Sequence, residues 1–203
     1  MSLAEYFHSV ATGNKRRRVA LTPLGFLVFG STLAVVIVGG HYTDRWLGLP
    51  PLLPGIVGTV AGVLFLMAGA WLTGWCVVRF LKARGTPVPL NPPDELIVSG
   101  PYAWVRNPML TGVFGVLVGL GLLLHSLGLA LIWTPGYALV HMAELKWVEE
   151  PELARRFGAA YADYRAQVPM FIPRLRRYRA SQSVPETVPP GALENQKARR
   201  PQS

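Results

Sequence analysis

Residues 53–78 read LPGIVGTVAGVLFLMAGAWLTGWCVV, twenty-six positions without a charged side chain. A bilayer core is about 30 Å thick, and about 20 helical residues cross it. This run is long enough to do so. Three further apolar segments lie around it, at 24–40, 110–124 and 127–140. The last two are shorter and are parted only by His125 and Ser126, so they read as the arms of a tight helical hairpin. Each arm is extended at its far end by mixed residues. The whole chain agrees: 51% of its 203 residues are hydrophobic and only 15% charged, against about a quarter charged in soluble domains. The expected fold class is an all-α integral membrane protein with about four transmembrane helices, over roughly 22–40, 53–79, 109–125 and 127–145.

Lysine and arginine positions set the orientation, because short cytosolic loops collect them. Lys15–Arg18 precede the first segment, and Arg79, Lys82, Arg84 and Arg106 lie at or in the loop between the second and third. Eleven more follow from Lys146 onward, leaving Arg45 alone on the opposite side, so nineteen of twenty share one face. Both termini are expected in the cytoplasm of a multi-pass cell-membrane protein. The net charge of +9 flanks apolar runs, which favours an anionic membrane surface over nucleic acid. Cys76 is the only cysteine, which excludes an internal disulfide framework and a cysteine metal cluster. Lys15–Arg18 lead into an apolar run without a small-residue cleavage site, unlike a secretory signal.

On the cytosolic side lie two unusual segments. Residues 84–102, RGTPVPLNPPDELIVSGPY, form a connector whose prolines forbid a continuous helix. It leads into GPYAWVRNPML, Gly100–Leu110, joined without a spacer to the third apolar segment. After the fourth segment, Pro151 suits the first turn of a new helix. There Leu153, Phe157, Ala160, Tyr164 and Val168 recur at helical spacing, with Arg155, Arg156 and Arg165 elsewhere on the helix. The pattern predicts one amphipathic helix lying on the cytosolic leaflet. Residues 180–203 are polar and proline-rich, the composition of a disordered tail.

Several side chains could carry chemistry. Glu149 and Glu150 stand where the fourth segment meets the surface helix. They either complement that helix's N-terminal dipole or offer a carboxylate to a ribose diol or an ammonium. Arg106 either snorkels to headgroups or clamps an anionic group. His141 and Glu144 are three apart on one helix, half of a metal site with no second ligand pair and no H-E-x-x-H, and a hydrogen-bonded structural histidine is the better reading. No metal site is expected. The Gly119–Gly121 pair sits in a membrane run and reads as helix packing rather than as a phosphate loop. No Rossmann or Walker pattern is present.

In order and spacing, GPYAWVRNP, an apolar hairpin and then EEPELARRFGAAYADYRAQVPMFIPR resemble the isoprenylcysteine carboxyl methyltransferase family, related to the small membrane phospholipid methyltransferases. Its hallmark is R-H-P-x-Y-x-G, a hydrophobic stretch, then E-E. Here the first part is Arg106-Asn107-Pro108-Met109-Leu110-Thr111-Gly112 and the second Glu149-Glu150, followed by Phe157, Gly158, Tyr161, Tyr164, Val168, Pro169 and Pro173. The resemblance covers residues 93–174. It implies S-adenosyl-L-methionine as cofactor and residues 1–179 as a membrane methyltransferase-like domain. It implies cofactor contacts from Glu95, Leu96, Ile97, Tyr102, Asn107, Pro108, Met109, Leu110, Glu149 and Glu150, and it makes Arg106 the residue that positions a substrate carboxylate or supports the pocket. The chain departs from the pattern at two places: Asn107 stands for the histidine and Leu110 for the tyrosine. Asparagine can still donate and accept hydrogen bonds, and leucine cannot. Leu145, beside Lys146, occupies a position where eukaryotic members carry a substrate-facing arginine. The implied activity is methyl transfer to a lipidic or hydrophobic acceptor at the cytosolic face. The rival readings are an NADPH-dependent membrane reductase of the sterol-reductase type and a non-catalytic membrane assembly factor on the same fold.

Overall fold

The computed structural model describes residues 15–83, 85–86, 93, 95–174 and 176–178. The expected tail at 180–203 and most of the proline-rich connector lie outside them. Every regular element among the described residues is helical. In chain order these are α1 (Lys15–Leu47), α2 (Ile56–Lys82), a 3-10 turn (Gly100–Ala103), α3 (Pro108–Leu123), a π-helical segment (Gly128–Trp133), α4 (Thr134–Glu144), a second π-helical segment (Leu145–Glu149), α5 (Glu150–Phe157) and α6 (Ala159–Gln167).

Two helices are long and apolar enough to cross a membrane, Thr22–Leu47 and Ile56–Lys82. The first runs beyond the expected end at 40, because no breaker intervenes before Gly48, which turns at φ +59°. The second starts at Ile56 rather than 53, since Leu53 at φ +42° and Gly55 at φ +83° form a turn that no helix can include. Helix α3 has 16 residues, a length of about 24 Å. It ends before His125, which takes φ +51° at the hairpin tip.

The chain divides into two compact units, and each has its own core. One comprises Pro23–Cys76 and Pro108–Glu144. Its core joins Val36 of α1, Val113 and Leu117 of α3, Leu129 and Tyr137, with Phe29, Leu33, Phe114 and Trp133 packed against them. Glycine sets the approach of α2 and α3. A β-carbon at Gly119 would stand 2.6 Å from Leu66 N and 2.8 Å from Gly62 O, so backbone lies where a side chain would be. This is the small-residue packing expected where lipid supplies no drive between helices. At the hairpin tip Asp44 accepts from Ser126 Oγ and, at 2.7 Å, from Gly128 N, while Leu129 N donates to Ser126 Oγ at 3.0 Å. These contacts satisfy amide groups that a helix start leaves unpaired. The outer faces of α1 and α2 expose Leu27, Leu64, Met67 and Trp71, a surface suited to lipid.

The other unit contains Val77–Asn107 and the chain from Leu145. Its core gathers Leu96, Val98 and Ala103 with Phe157, Tyr161, Tyr164, Val168 and Tyr178, and Leu153 packs against it. This corrects the expected single surface helix. Gly158, at φ +55° and ψ −126°, ends α5 and starts α6. The apolar residues on both sides of that break pack into protein rather than onto a leaflet. The physical reason is the lead-in Leu96–Val98, which offers them an apolar partner within the chain.

Candidate functional site

The GPYAWVRNP segment is fixed from three sides within its own unit. Gly100 takes φ +66°, which favours glycine, and a β-carbon there would meet the Arg79 guanidinium at 3.0 Å. Arg79, in the last turn of α2, donates to Ser99 Oγ at 2.9 Å. The Phe80 ring meets Tyr102 edge-on at 5.9 Å. Pro101 opens the 3-10 turn, and its carbonyl accepts from Trp104 N and Val105 N at 3.1 and 3.3 Å.

From the C-terminal side, main chain holds main chain. Arg106 N donates to Pro169 O at 2.8 Å and Asn107 N to Met170 O at 3.1 Å. In the reverse sense, Arg174 N donates to Trp104 O at 3.1 Å and Tyr178 N to Ala103 O at 2.8 Å. The Tyr164 hydroxyl, buried in the core, donates to Tyr102 O at 2.7 Å. The Asn107 side-chain amide faces Met170 O at 3.5 Å. Residues 168–174 and 176–178 therefore form a strap across residues 102–107.

Charge gathers at Arg106. Its Nη1 donates to Glu150 Oε1, and the two side chains are only 13% and 8% exposed. Arg165 Nη1 stands 3.4 Å from the other oxygen, Glu150 Oε2. The Tyr161 hydroxyl lies 3.5 Å from Arg106 Nη1 and accepts from it. Burial, then the Glu150 carboxylate, push the Tyr161 hydroxyl up to about 12, against the pull of Arg106. It is therefore neutral at physiological pH and keeps a proton to donate. Burial likewise raises Tyr164. Arg106 Nε is buried and has no hydrogen-bond partner among the described residues. An unsatisfied buried donor is costly, and this N–H is open to an acceptor.

The two glutamates differ. Glu149 is exposed, and Glu150 is buried against Arg106. Glu149 closes the π-helical Leu145–Glu149 and Glu150 opens α5 directly after it, and π segments shift helical phase and recur at functional sites. A second buried pair lies nearby in sequence: Arg156 meets Glu152 at 3.3 Å and donates to Pro93 O. It fixes the start of the lead-in that carries Glu95, Leu96 and Ile97. That lead-in has no regular secondary structure, with Glu95 exposed, Leu96 buried in the core and Ile97 half-buried.

Of the residues singled out from sequence, Arg106 and Glu150 are brought into contact. Tyr102 and Asn107 are tied into the same strapped segment. Pro108, Met109 and Leu110 follow as the first turn of α3, in the other unit; Pro108 is buried at the first helical position, where its missing N–H costs nothing. Sequence reasoning did not assign Tyr161 or Arg165 to the site. Tyr161 had a signal, lying four residues after Phe157 on the apolar face. Arg165 had none beyond its charge. His141 donates or accepts at Nδ1 with Glu144 at 2.8 Å, and among the described residues no group of three or more His, Cys, Asp or Glu side chains could hold a metal ion.

Comparison with known proteins places these features. A family model described as phospholipid methyltransferase matches residues 57–160, which takes in α2, the GPYAWVRNP segment and both glutamates. The nickel-cobalt-cadmium resistance protein NccN of Alcaligenes xylosoxydans xylosoxydans is 27% identical over 152 residues, 74% of this chain and 63% of the relative. The cobalt-zinc-cadmium resistance protein CzcN of Cupriavidus metallidurans is 34% identical over 106 residues, 52% of this chain and 44% of the relative. The chain thus spans under two thirds of the length of either. No solved structure matches it.

Proposed function

This chain belongs to the phospholipid methyltransferase family, and from that premise we propose that it is an integral-membrane methyltransferase that uses S-adenosylmethionine on a lipidic or hydrophobic acceptor at the cytosolic face. The family match over 57–160 is the observation that carries the reading. In this proposal residues 1–179 form the methyltransferase domain, with four spans at 22–40, 53–79, 109–125 and 127–145 and both termini cytoplasmic. Carboxyl O-methylation is the first acceptor chemistry to test.

The residues present fit the cofactor. Its methionine tail and ribose need acceptors for an ammonium and a diol, and a donor for a carboxylate. The exposed Glu149 carboxylate supplies the first kind, and the unpartnered Arg106 Nε–H the second. When bound, S-adenosylmethionine supplies a methyl group on a sulfonium sulfur. Tyr102, Asn107 and the lead-in Glu95–Ile97 line the proposed cofactor wall, while Pro108, Met109 and Leu110 remain contacts that the family resemblance implies. Methyl transfer is an in-line displacement that depends on alignment, so a wall held by proline, a strap and buried ion pairs serves it better than a mobile one. A carboxylate acceptor needs no base, and an amine must arrive already deprotonated. No catalytic base is assigned.

Because Glu150 pairs with Arg106, Arg106 in this reading supports the pocket and binds through Nε rather than offering its whole fork to a substrate. The two relatives are named for resistance to nickel, cobalt, zinc and cadmium, and in this reading that resistance is the setting in which the methyl transfer is used. The test is calorimetry on the protein in lipid nanodiscs with S-adenosylmethionine and with its demethylated product. It is paired with transfer of labelled methyl into extracted lipid. Binding of both with label in the organic phase is expected; absence of binding by either overturns the proposal.

A further inference from the structure

The strap that holds the site wall also presents a surface. Its root is rigid: Pro169 O and Met170 O accept from Arg106 N and Asn107 N, and four residues later Arg174 N returns to Trp104 O. The Arg174 side chain closes the loop further by donating to Gln167 O. At the tip, Ile172 is 80% exposed and Pro173 is exposed, beside a half-buried Phe171. Arg176 and Arg177 follow, both exposed. A braced loop raises an isoleucine beside exposed arginines. It is well matched to a leaflet in which anionic headgroups overlie hydrocarbon.

The same unit carries the end of α2, one of the two helices long and apolar enough to cross a membrane. Arg79 and Phe80 of α2 touch Ser99 and Tyr102, so the strapped segment is built onto a residue stretch at a membrane boundary. The apolar faces of α5 and α6, which the sequence pattern would send to the leaflet, are committed to the protein core. The loop, by contrast, keeps apolar and basic groups exposed together on a hydrogen-bonded frame.

We propose that residues 170–174, with Arg176 and Arg177, dock on an anionic phospholipid surface, with Ile172 entering the headgroup–acyl boundary and Arg176 and Arg177 gripping lipid phosphates. The contact does not depend on methyl transfer, and it would hold in a protein without activity.

An environment-sensitive fluorophore on Ile172→Cys tests it, with a second label on Ala162→Cys as the reference for an exposed α6 position. The unsubstituted protein, whose single cysteine Cys76 is buried, gives the labelling background. In nanodiscs of phosphatidylcholine and phosphatidylglycerol the Ile172 label is expected to shift to the blue and to be quenched by doxyl-labelled lipid. The Ala162 label should stay open to aqueous iodide. Adding Arg176→Glu and Arg177→Glu, both at exposed positions, should cut the lipid quenching several-fold with the thermal midpoint unchanged, and phosphatidylcholine alone should do the same. The proposal is overturned if iodide reaches the Ile172 label as freely as the Ala162 label in every nanodisc. It is equally overturned if charge reversal leaves lipid quenching unaltered.

Discussion

Arg106 and Glu150 form a buried pair whose worth lies in what its loss leaves behind. Arg106→Gln would strand a carboxylate that is 8% exposed, with only the half-exposed Arg165 beside it. Removing one member of such a pair costs about 3–5 kcal/mol, whereas replacing both by apolar groups is often near neutral. Chemical unfolding in detergent should therefore show a large loss for Arg106→Gln and most of it recovered in Arg106→Met/Glu150→Leu. If the double variant is as unstable as the single one, the stranded charge is not the cause. Glu149 makes the contrast. It is exposed, so Glu149→Gln should change stability by no more than about 0.5 kcal/mol, yet weaken S-adenosylmethionine binding about tenfold, the loss of one charge-assisted hydrogen bond. Unchanged affinity in calorimetry would remove Glu149 from the site. Tyr161 adds a pH signature. Its hydroxyl is raised from 10 to about 12 in the folded chain, so between those values the native state holds a proton that the unfolded state has released. The stability this contributes is fully present below pH 10 and is lost as pH rises towards 12. Thermal midpoints across that window should fall more steeply for the parent than for Tyr161→Phe; parallel curves would mean Tyr161 titrates alike in both states.

Helices in this chain are positioned by glycine as much as by apolar side chains. At Gly119 an added methyl would press on the backbone of α2, 2.6 Å from Leu66 N, and backbone cannot rotate aside. Overpacking of this kind costs about 1–3 kcal/mol, so Gly119→Ala should lower the detergent unfolding midpoint. Gly30→Ala on α1, where an added β-carbon meets nothing within 4 Å, should leave it unchanged or raise it slightly. Equal effects at both positions would argue against the packing. Elements of this sort were legible in the sequence because apolar length and turn chemistry are local: α1, α2, the hairpin tip at His125 and the glycine reading of residues 119–121 all follow from short windows. What was not legible depends on phase and on partners distant in the chain. Adjacent Glu149 and Glu150 cannot be told apart by periodicity, because a π-helical segment at Leu145–Glu149 resets which of them turns inward. The break at Gly158 was visible only as a glycine inside an otherwise regular apolar pattern, and the residues that bury that pattern, Leu96 and Val98, lie some sixty positions earlier. The strap of residues 168–174 and 176–178 is invisible in the same way, since main-chain hydrogen bonds leave no mark on residue type.

At the scale of the whole molecule the open quantity is topology. Two helices are long enough to cross a membrane by themselves, while α3, at 16 residues, falls short of a bilayer core by about 6 Å if it stands straight. A local thinning of the bilayer or snorkelling of flanking residues accommodates a mismatch of that size at modest cost. The charge distribution is consistent with full crossing: nineteen of the twenty lysines and arginines fall on one side if four spans are drawn. A hairpin that dips into one leaflet and returns would leave that count intact, so charge alone does not separate the two arrangements, but the hairpin tip does. With four spans, Leu124, which is 59% exposed, emerges on the face opposite Lys82 and Arg176, together with Gly48. Single cysteines at these four positions, treated on intact cells with a membrane-impermeant maleimide, should give labelling at Gly48→Cys and Leu124→Cys. Lys82→Cys and Arg176→Cys should react only after permeabilisation. Protection of Leu124→Cys from both sides would make the hairpin re-entrant and reduce the protein to two spans. Labelling of Gly48→Cys and Arg176→Cys from the same side would overturn the orientation altogether, and with it the cytosolic placement of a site that must draw a soluble methyl donor from one side and a lipidic acceptor from the other.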